Sequence, residues 1–232
     1  MIKQPSILLF LMFFIAGFCQ KNNTKIENLQ NFDKQKLHFG YFIGFNQYNY
    51  KLDYKINPNY ATWIEESIGV NIGLIGDLRI NEYINLRFEP GLHTNKLNLK
   101  FSERETQNSD TIRSVKSSYI HIPLLIKLST KRLDNFRPYL IGGVSTSFNL
   151  SSNQNSPEDN KNNVFRLKAN NLYYELGFGI DFYLQYFKFS PSIRGVFSLK
   201  DELVPDDDVA SPWTGNIENL STRGFFINLT FH

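Results

Sequence analysis

Cysteine is almost missing from this sequence, and long apolar runs are few. The single cysteine, Cys19, among 232 residues excludes an internal disulfide and any metal cluster built on several thiolates. Histidine is scarce too: His38, His93, His121 and His232 are the only ones, and none stands in an HxH or HExxH spacing, so a local metal site has no support. His93 and His121 read as polar fillers of an interior. Serines such as Ser117, Ser118 and Ser145 are plentiful, but residues 141–147 read IGGVSTS, without the glycine that a GxSxG elbow places after its nucleophile. The net charge of +3, with no basic cluster interleaved with aromatics, argues against nucleic acid as a partner. These absences point to a chain with no catalytic residue, no metal and no cofactor.

The one apolar run is at the start. Lys3 supplies a positive flank and residues 7–18 an apolar stretch, with small residues at Gly17 and Cys19, so residues 1–19 read as a signal peptide cleaved near Gln20. The run is too short to span a bilayer comfortably, for which about 20 apolar residues are needed. An uncleaved anchor is the alternative, and Cys19 would be the lipid attachment point of a lipoprotein were bulky Phe18 not where a small residue belongs. Residues 20–36 are polar, rich in Asn, Lys and Gln, and read as a flexible linker before a domain at 37–232.

What the sequence has in abundance is aromatic residues, 15% with 21 Phe and 12 Tyr, together with strict alternation. Successive side chains of a strand point to opposite faces, so a membrane-barrel strand alternates apolar with small or polar residues. Ile68, Val70, Ile72, Leu74, Leu78 and Ile80 stand opposite Gly69, Asn71, Gly73, Asp77 and Arg79. Ile84, Leu86, Phe88 and Leu92 oppose Asn85, Arg87, Glu89, Gly91 and His93. Leu172, Tyr174, Leu176, Phe178, Ile180 and Phe182 oppose Asn171, Tyr173, Glu175, Gly177, Gly179 and Asp181. Five more segments, at 37–50, 118–129, 136–150, 187–200 and 222–232, bring the expected strands to an even number, as single-chain barrels require.

The expected fold is therefore an all-β, eight-stranded antiparallel transmembrane up-and-down barrel of the outer membrane, surrounded by lipid. Connections after the even strands are short, at 81–82, 130–135 and 185–186, whereas those after the odd strands, at 51–66, 98–116, 151–170 and 201–221, are long and polar. That alternation expects termini in the periplasm and long loops outside. A soluble barrel with its apolar face inward is the competing reading. Long strands, glycines on the charged face and the alternating loop lengths speak against it.

In so narrow a barrel the charges on the inward face, Asp77, Arg79, Arg87, Glu89, Glu175, Asp181 and Arg194, are expected to pair across a plugged lumen. The acidic run Asp206, Asp207, Asp208 lacks the DxDxDG pattern of a calcium loop. With Trp213 it reads as a solvated turn or an external loop that contacts a partner. The chain ends FFINLTFH, an aromatic strand end of the kind read by the barrel assembly machinery, a His following the last Phe.

Three stretches resemble a known family. LHFGYFIGFNQYNYKL (37–52), IGVNIGLIGDLRINEYINLRFEPGL (68–92) and YIHIPLLIKLSTKRLDNFRPYLIGG (119–143) are similar to the PorT family of outer-membrane barrels from Bacteroidetes. The resemblance covers essentially the whole mature chain and implies a non-enzymatic accessory or assembly role in the type IX protein secretion system, with gliding motility in gliding species. Other secretion-system proteins are its implied partners, and no catalytic residues carry over. A generic small barrel that binds or adheres through its external loops is the alternative.

Overall fold

The computed structural model describes residues 26–56, 63–100, 112–154, 165–208, 211 and 214–232. The expected signal peptide, the start of the expected linker at 20–25, and Trp213 lie outside the described residues.

Alternation becomes ten β-strands: β1 (Leu37–Tyr54), β2 (Trp63–Glu66), β3 (Ile68–Arg79), β4 (Ile84–Phe88), β5 (Gly91–Lys100), β6 (Ile112–Ser129), β7 (Phe136–Asn149), β8 (Asn170–Tyr183), β9 (Lys188–Ser198) and β10 (Ile217–Phe231). β2 continues the line of β3 beyond Ser67, and Pro90 interrupts the line shared by β4 and β5, so the ring has eight members. All pairings are antiparallel. β1 closes the ring on both sides, pairing with β10 from Tyr41↔Phe231 to Tyr54↔Ile217 and with β3 from Leu37↔Leu78 to Gln47↔Ile68. Closure leaves no edge along the body of the barrel, which satisfies backbone donors and acceptors without water. The expected eight-stranded barrel is the fold observed.

Toward the short turns the surface is apolar and the interior polar. Leu37, Phe39, Tyr41, Ile43 and Phe45 of β1 point outward, as do Ile72 and Leu74 of β3, Leu176 and Phe178 of β8, and Phe225 and Ile227 of β10. Toward the long loops the polarity reverses. Tyr48 and Tyr50 of β1, Leu97 and Leu99 of β5, Tyr119 of β6 and Phe226 of β10 form an inner apolar cluster, while Lys51, Lys96, Lys100 and Arg223 face outward. This half is built like a water-soluble barrel.

The reversal explains where the expected boundaries miss. Residues 51–54, 63–66, 98–100, 112–116 and 217–221 were expected in loops and are strand. A membrane-type pattern with apolar residues outward misses them, because Leu52, Tyr54, Ile64, Leu99, Ile217 and Leu220 pack on the inner cluster, although Trp63 stays outward. Long-loop segments complete the cap. Phe165, Leu167 and Leu203 join the inner cluster, Leu167 and Leu203 pair as a bridge, and Lys168 N donates to Glu202 O at 2.9 Å.

The second departure concerns the expected linker. Its described part, residues 26–36, is not free chain: it folds back on the short-turn mouth through a one-turn 3₁₀ helix at Phe32–Lys34. The Phe32 ring stacks on His38 at 4.2 Å between centroids, and Tyr183 Oη donates to Asp33 Oδ1 at 2.8 Å. Apart from His38, six residues on, the contacts come from residues far along the chain such as Tyr183, which is why the local composition does not reveal them.

Candidate functional site

The feature that sets what this barrel can do is its lumen. Inward positions of β3, β4, β8 and β9, with Glu89 just past the end of β4, bring together most of the charges that alternation assigned to the interior. Arg87 donates through Nε and Nη2 to Asp77 Oδ2 at 2.9 and 2.6 Å, and through Nη1 to Glu89 Oε1 at 3.2 Å. Arg194 then links Glu89 Oε2 at 2.8 Å to Glu175 Oε2 at 3.2 Å. Asp77, Arg87, Glu89, Arg194 and Glu175 thus form one continuous chain of ion pairs across the lumen. Every member is buried.

Asp181 is also inside but pairs with a residue that sequence reading passed over. Lys127 Nζ donates to both of its carboxylate oxygens, at 2.8 and 2.6 Å, and lies 4.0 Å from the centroid of the Tyr139 ring. Ser190 Oγ donates to the same carboxylate at 2.7 Å. The signal was present: Lys127 sits between outward Ile126 and Leu128, so alternation places it inward. Arg79 is the exception in the expected network. It lies at the short-turn rim, where its guanidinium donates to the backbone oxygen of Asp33 and to Asn81 O. Rim carbonyls and water are available to Arg79 there, so the cross-lumen pair is not needed.

Two further layers fill the space toward the long loops. Asn95 donates to Asn46, Asn46 to Asn71, and Asn71 to Asn228, at 3.0, 2.5 and 3.1 Å, a line of amides drawn from β5, β1, β3 and β10. Amides at single inward positions carry no charge pattern, so sequence reading does not pick them out. At a similar depth His121 shares hydrogen bonds with Ser147 Oγ at 2.5 Å and Glu175 Oε1 at 2.7 Å. A serine, a histidine and an acid in line are the elements of an acyl-transfer relay. Here the serine, histidine and acid are 2%, 1% and 1% exposed, and the His121 ring packs against His93, Phe226 and Tyr173. No carbonyl substrate reaches Ser147, and the arrangement serves to fix His121 and Glu175 in the lumenal network. The His93 and His121 rings lie 4.7 Å apart as lumen fillers, as expected.

Packing in this interior is close enough to demand glycine. A Cβ at inward-facing Gly73 would collide with the Phe42 ring and the backbone oxygen of Pro90. At outward-facing Gly76 nothing lies within 4 Å of the same atom.

The acidic run of the last long loop divides. Asp206 turns into the cap, accepting from Ser211 Oγ at 2.5 Å and pairing with Arg166 at 3.2 Å, while Asp207 and Asp208 are exposed. Asp206 is thus a loop staple, and only its two neighbours remain on the surface expected to meet a partner. Nearby, Glu202 is fully buried and accepts from Thr222 Oγ1 at 2.8 Å and Asn171 Nδ2 at 3.0 Å. Burial pushes its carboxyl above the ordinary value despite those donors. Among the described residues no group of three or more His, Cys, Asp or Glu could hold a metal ion.

Comparison with known proteins places this geometry. Residues 18–204 match the family described as the outer membrane protein beta-barrel domain. No curated protein matches the chain. Among solved structures it is similar to the outer membrane protein OprG of Pseudomonas aeruginosa, at 12% identity over 84% of this chain and 94% of that one, with a TM-score of 0.44. It is similar to the N-terminal β-barrel domain of Pseudomonas aeruginosa OprF, at 12% identity over 85% and 100%, TM-score 0.39. It is also similar to Ail, the attachment invasion locus protein of Yersinia pestis, solved with a heparin analogue, at 10% identity over 85% and 99%, TM-score 0.40.

Proposed function

The chain belongs to the outer-membrane protein β-barrel domain family, and from that premise we propose that it is a non-conducting accessory component of protein secretion across the outer membrane, of the type IX kind. The observation that carries the reading is the filled lumen. The ion-pair chain from Asp77 to Glu175, the amide line and the apolar cap occupy successive levels of the interior, so the barrel has no passage wide enough for a polypeptide. Its activity then resides in surfaces. The resemblance of residues 37–52, 68–92 and 119–143 to PorT-type barrels supplies the pathway.

In this reading the short turns and both termini face the periplasm and the long loops face outward, with lipid around the apolar belt. Secretion-system proteins are the partners, and the barrel assembly machinery inserts the chain through its aromatic last strand. The test is a clean deletion in the native bacterium, complemented by the wild-type gene. Accumulation of signal-bearing cargo in the periplasm, relieved by complementation, is the expected outcome; undisturbed secretion overturns the proposal.

A second reading has its own observation. The described part of the long-loop end is a cap, stapled by Arg166–Asp206 and Leu167–Leu203, that presents exposed Asp207 and Asp208 on one loop. A barrel that binds an external ligand through this cap would leave secretion intact on deletion and lose surface binding instead.

A further inference from the structure

We propose that the short-turn mouth is a binding site for a short peptide that presents an aromatic ring directly followed by a carboxylate, and that Phe32–Asp33 occupies it in cis as an exchangeable ligand. The proposal does not depend on the secretion pathway, only on the mouth being reachable from its own side of the membrane.

The site is built by the barrel. His38 of β1 stacks on the Phe32 ring with the two planes 11° apart, and Lys188 of β9 places its ammonium 4.7 Å from the ring centroid. Tyr183 and His232 meet the ring at steep angles, each 6.4 Å away. The next residue is read by charge: Asp33 accepts from Tyr183 Oη at 2.8 Å and lies 3.6 Å from Arg137 and 4.0 Å from Arg132. Ring and carboxylate are thus recognised mainly by different groups, His38 and Lys188 for the ring and Arg137 and Arg132 for the carboxylate, with Tyr183 touching both. The face of a ring attracts cations and the carboxylate pairs with guanidinium, so a peptide lacking either the ring or the adjacent carboxylate would not fit.

A third set of contacts reads backbone. Asn135 accepts from Asn28 N and donates to Ile26 O, both at 2.9 Å, so its amide imitates a neighbouring strand. Arg79 takes the Asp33 carbonyl. Groups that hold main chain irrespective of side chain, beside two selective pockets, are the arrangement by which proteins bind peptide segments.

Exchange is favoured by how little the segment commits. None of the residues in its one-turn helix is fully buried, and it adds no strand to the ring. The receptor groups sit on paired strands and turns and need little ordering to accept a replacement. What holds the cis ligand is its tether, which gives it an effective concentration of millimolar order. The occupant that displaces it is a segment of a second protein on the same side of the membrane, carrying an aromatic residue followed by Asp or Glu.

The test uses the full chain in lipid nanodiscs and a fluorescent synthetic peptide of residues 26–36, IENLQNFDKQK. In the F32A/D33A variant the cis segment loses its ring and carboxylate and keeps only its main-chain contacts, while the receptor groups are unchanged, so it should bind the peptide at least about tenfold more tightly than wild type does. A peptide with both residues changed to Ala should bind neither. Equal binding of the native peptide to variant and wild type, or none to either, overturns the proposal. Should the variant fail to fold, deuterium uptake by isotopically labelled wild-type protein gives the answer. Excess native peptide should raise uptake in residues 26–36 and the Ala peptide should not; unchanged uptake overturns the proposal equally.

Discussion

Replacing Lys127 by Met isolates the energetics of the lumen. Lys127 is buried, and its ammonium donates to both oxygens of buried Asp181 at 2.8 and 2.6 Å. Met keeps the length and the packing on Tyr139 but removes the charge, leaving Asp181 with the Ser190 hydroxyl as its remaining hydrogen-bond donor in the lumen. Removing one partner of a buried pair strands the other, at a cost of about 3–5 kcal/mol. Replacing both, as K127M with D181L, strands no charge, so the double variant should be more stable than the sum of the single costs by roughly 0.5–3 kcal/mol. The assay is urea unfolding of the refolded barrel, followed by intrinsic fluorescence and by the gel mobility of folded and heated samples. A K127M cost below about 1 kcal/mol, or strict additivity in the double variant, would refute the claim that the lumen is a mutually dependent ion-pair core.

Other outcomes follow from the same structure. Gly73→Ala drives a methyl into the Phe42 ring and should cost about 1–3 kcal/mol in the same unfolding assay, whereas Gly76→Ala, with open space at its Cβ, should be close to neutral. Leu74→Arg on the outer belt should cost about 2–4 kcal/mol in the unfolding assay carried out in bilayers, because it meets lipid and not the lumenal network. The pH response of the cap is set by two loop acids of opposite sign. Burial holds the Glu202 carboxyl above its ordinary value, so its contribution is present at acid pH and lost as pH rises through the folded value. Asp201 is lowered, its partial burial outweighed by hydrogen bonds from the Leu220 and Leu203 amides, so its contribution is lost as pH falls. Glu202→Gln should therefore gain stability relative to wild type as pH rises, in a pH series of unfolding curves; a difference that does not change with pH would contradict the assignment.

Much of this architecture is legible in the sequence because the membrane half of each strand obeys one rule. The face carrying Ile68, Val70, Ile72 and Leu74 is outward and that carrying Asn71 and Asp77 inward, as alternation requires. From the same rule came the inward placement of Asp77, Arg87, Glu89, Glu175, Asp181 and Arg194. What it misses has identifiable causes. Tyr48, Tyr50, Leu97 and Leu99 keep the alternation but point apolar groups inward, since that half of the barrel needs a core of its own. Lys127 obeys the rule, but as a lone charge in a strand otherwise read for its Ile and Leu it is passed over. Arg79 obeys the alternation but sits one step too near the rim, where backbone oxygens replace carboxylate partners. The docking of Phe32 and Asp33 depends, beyond nearby His38, on Arg132, Tyr183, Lys188 and His232, and no local pattern encodes a contact over that separation.

The most direct test of the central claim, a barrel closed through its lumen, is electrical. Purified, refolded full-length protein is inserted into a planar lipid bilayer and the current is recorded at fixed voltage, alongside the R194S variant, which removes the link between Glu89 and Glu175. The account predicts a quiet baseline for the wild type, with any conductance steps confined to the variant. Stable, discrete open steps from the wild-type barrel would contradict it.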